Sequence, residues 1–438
     1  MNQDSVERRQ FVKQSAVLAA AASAFPSGAH AQSEESEKIR VALIGCGGRG
    51  TGAAAQALTA DDRTELFAMA DIDSEQLEKS REVLEKNAPS PEQVQVDSER
   101  RFVGLDAFQK VMNTKEIDVV ILTTPPGFRP FHFEAAVNAG KHVFMEKPVA
   151  TDAAGVRRVI ENAKISKEKG LKVGVGFNRR HSPIHHEVVS RLHNGDIGEI
   201  PLIQMFNCRA DVNKRKTRVE GESELQFQVK NWYYFTWLSG DFMVEQSCHE
   251  FDVVRWIKND AFPLSCQGQG GRLVRQGPMN GQIYDHYSVD YEFPDSSIIT
   301  TQHRHIPKTW SWFGEKIFGT AGTAELSFKR AGFVRPTDPS KKPWRGTEKE
   351  NSYQLEHDHL FAAIRNGTEF NEAERAAHST MFALMGRMAA YSGKVVTWEE
   401  AMKSDEEIAL NPTSWDDEAP FYPDENGEYE TFLPGVNG

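Results

Sequence analysis

Six consecutive residues, Gly45-Cys46-Gly47-Gly48-Arg49-Gly50, set the strictest limit on what this chain can fold into. They close the apolar run Arg40 to Gly45 and open a helical pattern, so a buried strand must turn sharply into a helix there. Gly45 allows the tight turn, Gly47 lets a ligand approach the backbone, and Gly50 lets the helix lie against the strand. A helix N-terminus bared in this way offers N–H groups to a pyrophosphate. The next apolar run ends at Asp71, 26 residues after Gly45, placed to accept hydrogen bonds from an adenosine ribose. No Arg or Lys directly follows Asp71, so a 2'-phosphate would meet negative charge, and NAD is expected rather than NADP. All six fingerprint residues and Asp71 are candidate cofactor contacts.

The rest of the N-terminal half fits that beginning. Near-continuous apolar runs at Arg40 to Gly45, Glu65 to Asp71, Asp118 to Thr123, His142 to Glu146 and Leu171 to Phe177 alternate with helical patterns. Strands buried on both faces of a doubly wound parallel sheet read this way. Beyond Asn178 the pattern changes. Ile283 to Phe293 alternates apolar and polar residues, with Ser297 to His305 as its expected antiparallel partner. Helices are expected over Gln354 to Asn366 and Glu372 to Ser392, stopped by Gly367 and Gly393, and a capping box, Thr397 with Glu400, starts a last one. The expected class is α/β, a Rossmann sheet over 38–178 followed by an α+β domain with a large, mostly antiparallel sheet over 179–410. Residues 411–438, acidic and dotted with Pro and Gly, read as an extended arm.

Residues 1–31 carry Arg8-Arg9-Gln10-Phe11-Val12-Lys13, a modest apolar run to Phe25, and Ala29-His30-Ala31 before a cleavage point. The order resembles a twin-arginine export signal, departing from its usual pattern at Glu7 and Val12, and implies a periplasmic or secreted protein. A polar linker, 32–37, follows. No apolar stretch reaches the length of a membrane span. Lys and Arg total 51 against 63 for Asp and Glu, a formal net charge of −12, which disfavours nucleic acid as a partner. Cys46, Cys208, Cys248 and Cys266 show neither zinc nor disulfide spacing, and no metal is expected.

Two further stretches carry chemistry. In "KHVFMEKPVA", residues 141–150, Lys147 ends a parallel strand, where open α/β sheets bind ligands, and would face a nicotinamide. In "GDFMVEQSCHEFDVVRW", residues 240–256, Glu245, His249 and Asp252 fall on one face if the segment is helical. An imidazole whose pKa lies near ambient pH suits removal of a hydroxyl proton, a cationic Lys147 would stabilise the developing alkoxide, and Asp252 or Glu245 could orient the ring. Trp232, Tyr233, Tyr234 and Trp237 could stack on a sugar ring or belong to the core.

The glycine fingerprint, Asp71, the "TTPP" turn with Thr124 and Pro125, and Glu146-Lys147-Pro148, in this order, resemble the glucose-fructose oxidoreductase, inositol dehydrogenase and rhizopine-catabolism (Gfo/Idh/MocA) family. The resemblance runs from Ile39 to Met402. It implies that Lys147 hydrogen-bonds a substrate hydroxyl, that Glu146 and Pro148 shape the nicotinamide site, and that His249 is the acid/base. The family commonly has Asp at the position of Glu245 and Gly at that of Ser247. The expected protein is an exported, homo-oligomeric (dimeric or tetrameric) NAD-dependent oxidoreductase acting on a secondary hydroxyl of a sugar, cyclitol or glycoside. Export in the folded state would let it keep a tightly bound NAD, each hydride being returned in the same site, as the resemblance to glucose-fructose oxidoreductases implies. Two alternatives remain at this point: a redox-neutral NAD-dependent glycosidase, and a non-enzymatic carbohydrate-binding protein on the same fold.

Overall fold

The structure is a computed structural model and describes residues 38–212, 215–327, 331–347 and 349–436. The export signal and its linker lie outside the described residues. Two sheets organise what is described. The first has six parallel strands, β1 (Ile39–Ile44), β2 (Thr64–Asp71), β3 (Arg101–Val103), β4 (Val119–Leu122), β5 (His142–Met145) and β6 (Val173–Val175), in the order β3-β2-β1-β4-β5-β6. Alternate residues of β1 feed opposite cores. Val41 and Leu43 join one buried cluster, while Ala42 and Ile44 join the other. Both faces are therefore dry, which is why these strands read as continuous apolar runs. Strand β3 escapes such reading because three residues show no period.

The strand order reverses between β1 and β4, and a cleft must open beyond their carboxyl ends at such a point. Helix α1 (Gly48–Ala60) leaves β1 there. Its first residues are Gly-rich and its N-cap, Gly47, makes no side-chain cap bond.

The second sheet has nine strands: β7 (Leu202–Arg209), β8 (Ser265–Gly271), β9 (His286–Glu292), β10 (Ile298–His305), β11 (Trp312–Gly319), β12 (Gly322–Ser327), β13 (Ala331–Pro336), β14 (Trp344–Thr347) and β15 (Val396–Thr397). Every pairing is antiparallel except that of β7 with β10. The hairpin of β9 and β10 sets Tyr291 opposite Ile299 and Val289 opposite Thr301, the apolar face turned inward.

Three more helices position the site: α2 (Phe242–Ile257), α3 (Ser352–Asn366) and α4 (Ala373–Ser392). Helix α2 is buried along most of its length, with Phe251 between Tyr291 and Phe382. Its start is fixed by Asp241, at φ 75°, whose carboxylate caps the Phe242 amide and accepts from the Tyr287 and Tyr391 hydroxyls at 2.5 Å each. Helix α3 crosses back to the first sheet and buries Leu360 and Phe361 in the cluster that holds Ile39, Val41 and Leu43. Among its described residues the arm, from Asn411 on, has no regular structure, yet Ala419 and Tyr429 are buried in a third cluster with Phe235 and Trp237.

Candidate active site

At the end of β1 the glycines do what their spacing suggested. Gly45 has φ 97°, and a side chain on it would press on the Thr123–Thr124 backbone. A side chain on Gly50 would collide with the Gly45 carbonyl, so α1 can lie this close only with Gly there. At Gly47 and Gly48 an added Cβ meets nothing within 4 Å. That open space in front of an uncapped helix N-terminus fits a pyrophosphate.

Two cavities adjoin this turn. The larger, about 940 Å³, runs past Gly45, Gly47 and Asp71 to Ile72 and Phe108. The smaller, about 430 Å³, is lined by Gly47 to Gly50 and by Lys147, Arg179, Asn207, Glu245, His249 and Tyr353 among others. Thr124, Pro125 and Trp232 line both. Together they give a cleft with an apolar end beside Asp71 and a polar, charged end beside Lys147, which matches the two ends of a dinucleotide. The residues present fit NAD.

Asp71 takes the Cys46 amide at 2.5 Å on one carboxylate oxygen and the Asp73 amide at 3.0 Å on the other. Burial raises its pKa above the ordinary range, against the pull of those amides. Cys46 corrects one expectation. Its amide is committed to Asp71 and its thiol is buried against the Ala70 carbonyl, and it lines neither cavity. If Asp71 is the expected ribose acceptor, Asp71→Ala removes it and also relieves repulsion of a 2'-phosphate. The ratio of NAD to NADP affinity, measured by titration calorimetry, should fall at least about tenfold, the worth of one charge-assisted hydrogen bond.

At the other end, Arg49 pairs with Glu146 at 2.5 Å and with Glu356 at 3.3 Å, and its guanidinium lies over the Tyr353 ring. The fingerprint, the Glu-Lys-Pro turn and helix α3 are joined through this one side chain. Lys147 donates to the Glu245 carbonyl at 2.6 Å. Burial lowers its pKa, but Cys248, Glu245 and Glu146 outweigh that and leave it above its ordinary value, so the ammonium stays charged. His249 has a buried, unpartnered Nδ1. Burial, then the charges of Lys147 and Arg179, push its pKa well below the usual imidazole range. The ring is held neutral, with its Nδ1 open as an acceptor.

Glu245 lines the same cavity and accepts a hydrogen bond from Gln246. Asp252 does not join them, which corrects the second expectation. Two helical turns beyond Glu245, about 10 Å along the axis, it passes beneath the turn 178–181, where Arg180 Nε at 2.8 Å and Ser379 Oγ at 2.8 Å claim its carboxylate. It touches neither His249 nor the cavity. Burial alone would raise its pKa, but Arg180 and Arg375 overcome this and hold it at about 2. Ser247, where the resembling family commonly has Gly, meets His303 Nδ1 at 2.7 Å across to β10. The aromatic run divides: Tyr233, Tyr234 and Trp237 are core, and Trp232 alone lines the cleft.

Several lining residues were not singled out in the sequence. Arg179 bridges Glu250 at 2.5 Å and Glu315 at 3.2 Å. Its place just after β6, at the carboxyl edge of a parallel sheet, was a usable signal. Asn207 on β7 leaves its Oδ1 buried and without a partner. Tyr353 begins α3. Nothing local marks the last two, because only the fold brings β7 and α3 to the cleft.

Residues 39–177 match the family model described as the oxidoreductase family, NAD-binding Rossmann fold (Gfo/Idh/MocA). The chain is 29% identical over 151 residues to a putative oxidoreductase, YteT, of Bacillus subtilis, a match covering 34% of this chain and 32% of that one. It is 25% identical over 266 residues to an inositol 2-dehydrogenase of Rhizobium meliloti, covering 58% of this chain and 72% of that one. The match thus spans only about a third of the first of these relatives. A solved structure of an aldose-aldose oxidoreductase from Caulobacter crescentus, complexed with glycerol, shares the fold with a TM-score of 0.64 at 17% identity, over 82% of this chain and all of that one.

Proposed function

We propose that this chain, which belongs to the Gfo/Idh/MocA oxidoreductase family, oxidises a secondary hydroxyl of a sugar or cyclitol and, exported as its N-terminus suggests, recycles one bound NAD between substrates. The observation that carries the reading is the convergence of Lys147 and His249, far apart in sequence, on the cavity that the glycine turn also lines. A bound NAD supplies the hydride acceptor. Lys147 donates a hydrogen bond to the substrate oxygen and stabilises the negative charge that develops there. His249, neutral, takes the hydroxyl proton, and Asn207 offers its free carbonyl oxygen to a neighbouring hydroxyl. A relative is named for inositol and a fold neighbour for aldoses, which supports a polyhydroxylated ring as the substrate. The second of those names also supports a reaction between two sugars without external cofactor.

The test is product analysis on pairs of sugars and cyclitols with purified protein and no added NAD. Equal amounts of an oxidised and a reduced product are expected. Turnover only with a stoichiometric supply of NAD would remove the recycling, and cleavage of an aryl glycoside without net redox change would replace the reaction by the glycosidase alternative.

A further inference from the structure

We propose that the C-terminal arm and the segment 216–232 close as two jaws over the adenosine end of the cofactor cleft, with Trp415 as the stacking surface of the arm. This rests on reading the 940 Å³ cavity as the adenosine end of an NAD site. The cavity is not made by the first sheet alone. Asn411, Pro412 and Trp415 of the arm line it together with Val219, Glu222 and Trp232 of the other jaw. Its opposite wall is aromatic: Phe108 stacks on His132 with centroids 4.1 Å apart, and both face the same space. The large apolar side chains of Ile72, Val103 and Val219, exposed at 39, 43 and 59%, all line this one cavity. Apolar surface left open around one concavity marks a binding site. A flat heteroaromatic base held over a carboxylate that takes its ribose suits those walls.

The two jaws are fastened to each other. Ser223 Oγ donates to the Trp415 carbonyl at 3.2 Å, Gln228 Nε2 to the Phe421 carbonyl at 2.5 Å, and the Tyr429 hydroxyl to Glu224 at 2.5 Å. At its root the arm is held by Asp152, which accepts from the Ile408 and Ala409 amides at 2.7 and 2.8 Å. Release of a nucleotide past Trp415 therefore requires these bonds to open together. A chain that must keep its cofactor after leaving the place where the cofactor is made needs such a barrier, and an arm added beyond the last helix supplies it without altering the chemistry at Lys147.

The experiment loads the whole protein with NADH, mixes it with excess NAD, and follows the loss of bound-NADH fluorescence. Trp415→Ala should release NADH about tenfold faster or more, the usual worth of one base–aromatic stack. Val219→Ser, on the opposite jaw and too exposed to affect folding, should also speed release. Tyr422→Ala, an aromatic on the same arm outside the cavity, 61% exposed, should keep the wild-type rate. Wild-type release rates in both Trp415→Ala and Val219→Ser would overturn the clamp while leaving the cofactor in place. Failure of the wild type to bind any dinucleotide would overturn the cofactor assignment and the clamp with it.

Discussion

His249→Ala is expected to slow single-turnover reduction of bound NAD by about 10² to 10⁴, the usual share of a general base. Of the other carboxylates lining the smaller cavity, Glu146 and Glu250 are paired with Arg49 and Arg179, which leaves Glu245 as the alternative acceptor. Lys147→Ala should cost about 10² in the same measurement, as the loss of one donor to a developing oxyanion does. If both groups act on one hydroxyl, the double variant should be less impaired than the product of the two single effects. NAD binding should survive each change, since the glycine turn and Asp71 hold the far end. The pH dependence gives an independent reading. His249 is pushed well below its ordinary value of 6.5, so the neutral base persists into acid and the acidic limb of kcat/KM should lie well under pH 6.5. A limb at or above 6.5, or an unimpaired His249→Ala, would assign the proton to another group.

Asp252→Ala should instead act on stability. It takes from the buried Arg180 and the nearby Arg375 one of the two carboxylates that each pairs with, Asp260 and Glu372 being the others, and breaking a buried pair from one side costs up to roughly 3–5 kcal/mol. Urea unfolding of the purified variant measures that loss, and the fraction that stays folded should reduce NAD at close to the wild-type rate. The sign with pH follows from the depressed carboxyl. Its folded pKa, about 2, lies below the ordinary 3.8, so the contribution is full above the ordinary carboxylate range and fades as the pH falls through about 2. A folded Asp252→Ala protein that has lost more than 10² in hydride transfer would return this residue to the active site.

Asp252 also shows where reading a sequence stops. Spacing puts Glu245, His249 and Asp252 on one face of a helix, and the helix is there. How far the cavity extends along that face depends on Arg180, which arrives from the end of β6 by a turn no helical period can describe. The glycine turn was legible because each of its demands is local: a positive φ at Gly45, an unobstructed backbone at Gly47, a close contact at Gly50. Asp71 and Lys147 were legible for a related reason, since the end of a parallel strand is a defined place relative to the sheet's ligand edge. Asn207, Tyr353 and Trp415 were not. Each sits in a segment whose local pattern is ordinary, and each reaches the cleft through packing between segments distant in sequence, a matter of shape and buried area that no short stretch encodes. The sequence by itself determined the nucleotide turn and the residues at the strand ends that serve it. Only the tertiary structure decided which carboxylate lines a cavity with His249, which is spent on an arginine, and that Asn411, Pro412 and Trp415 come to line the larger cavity.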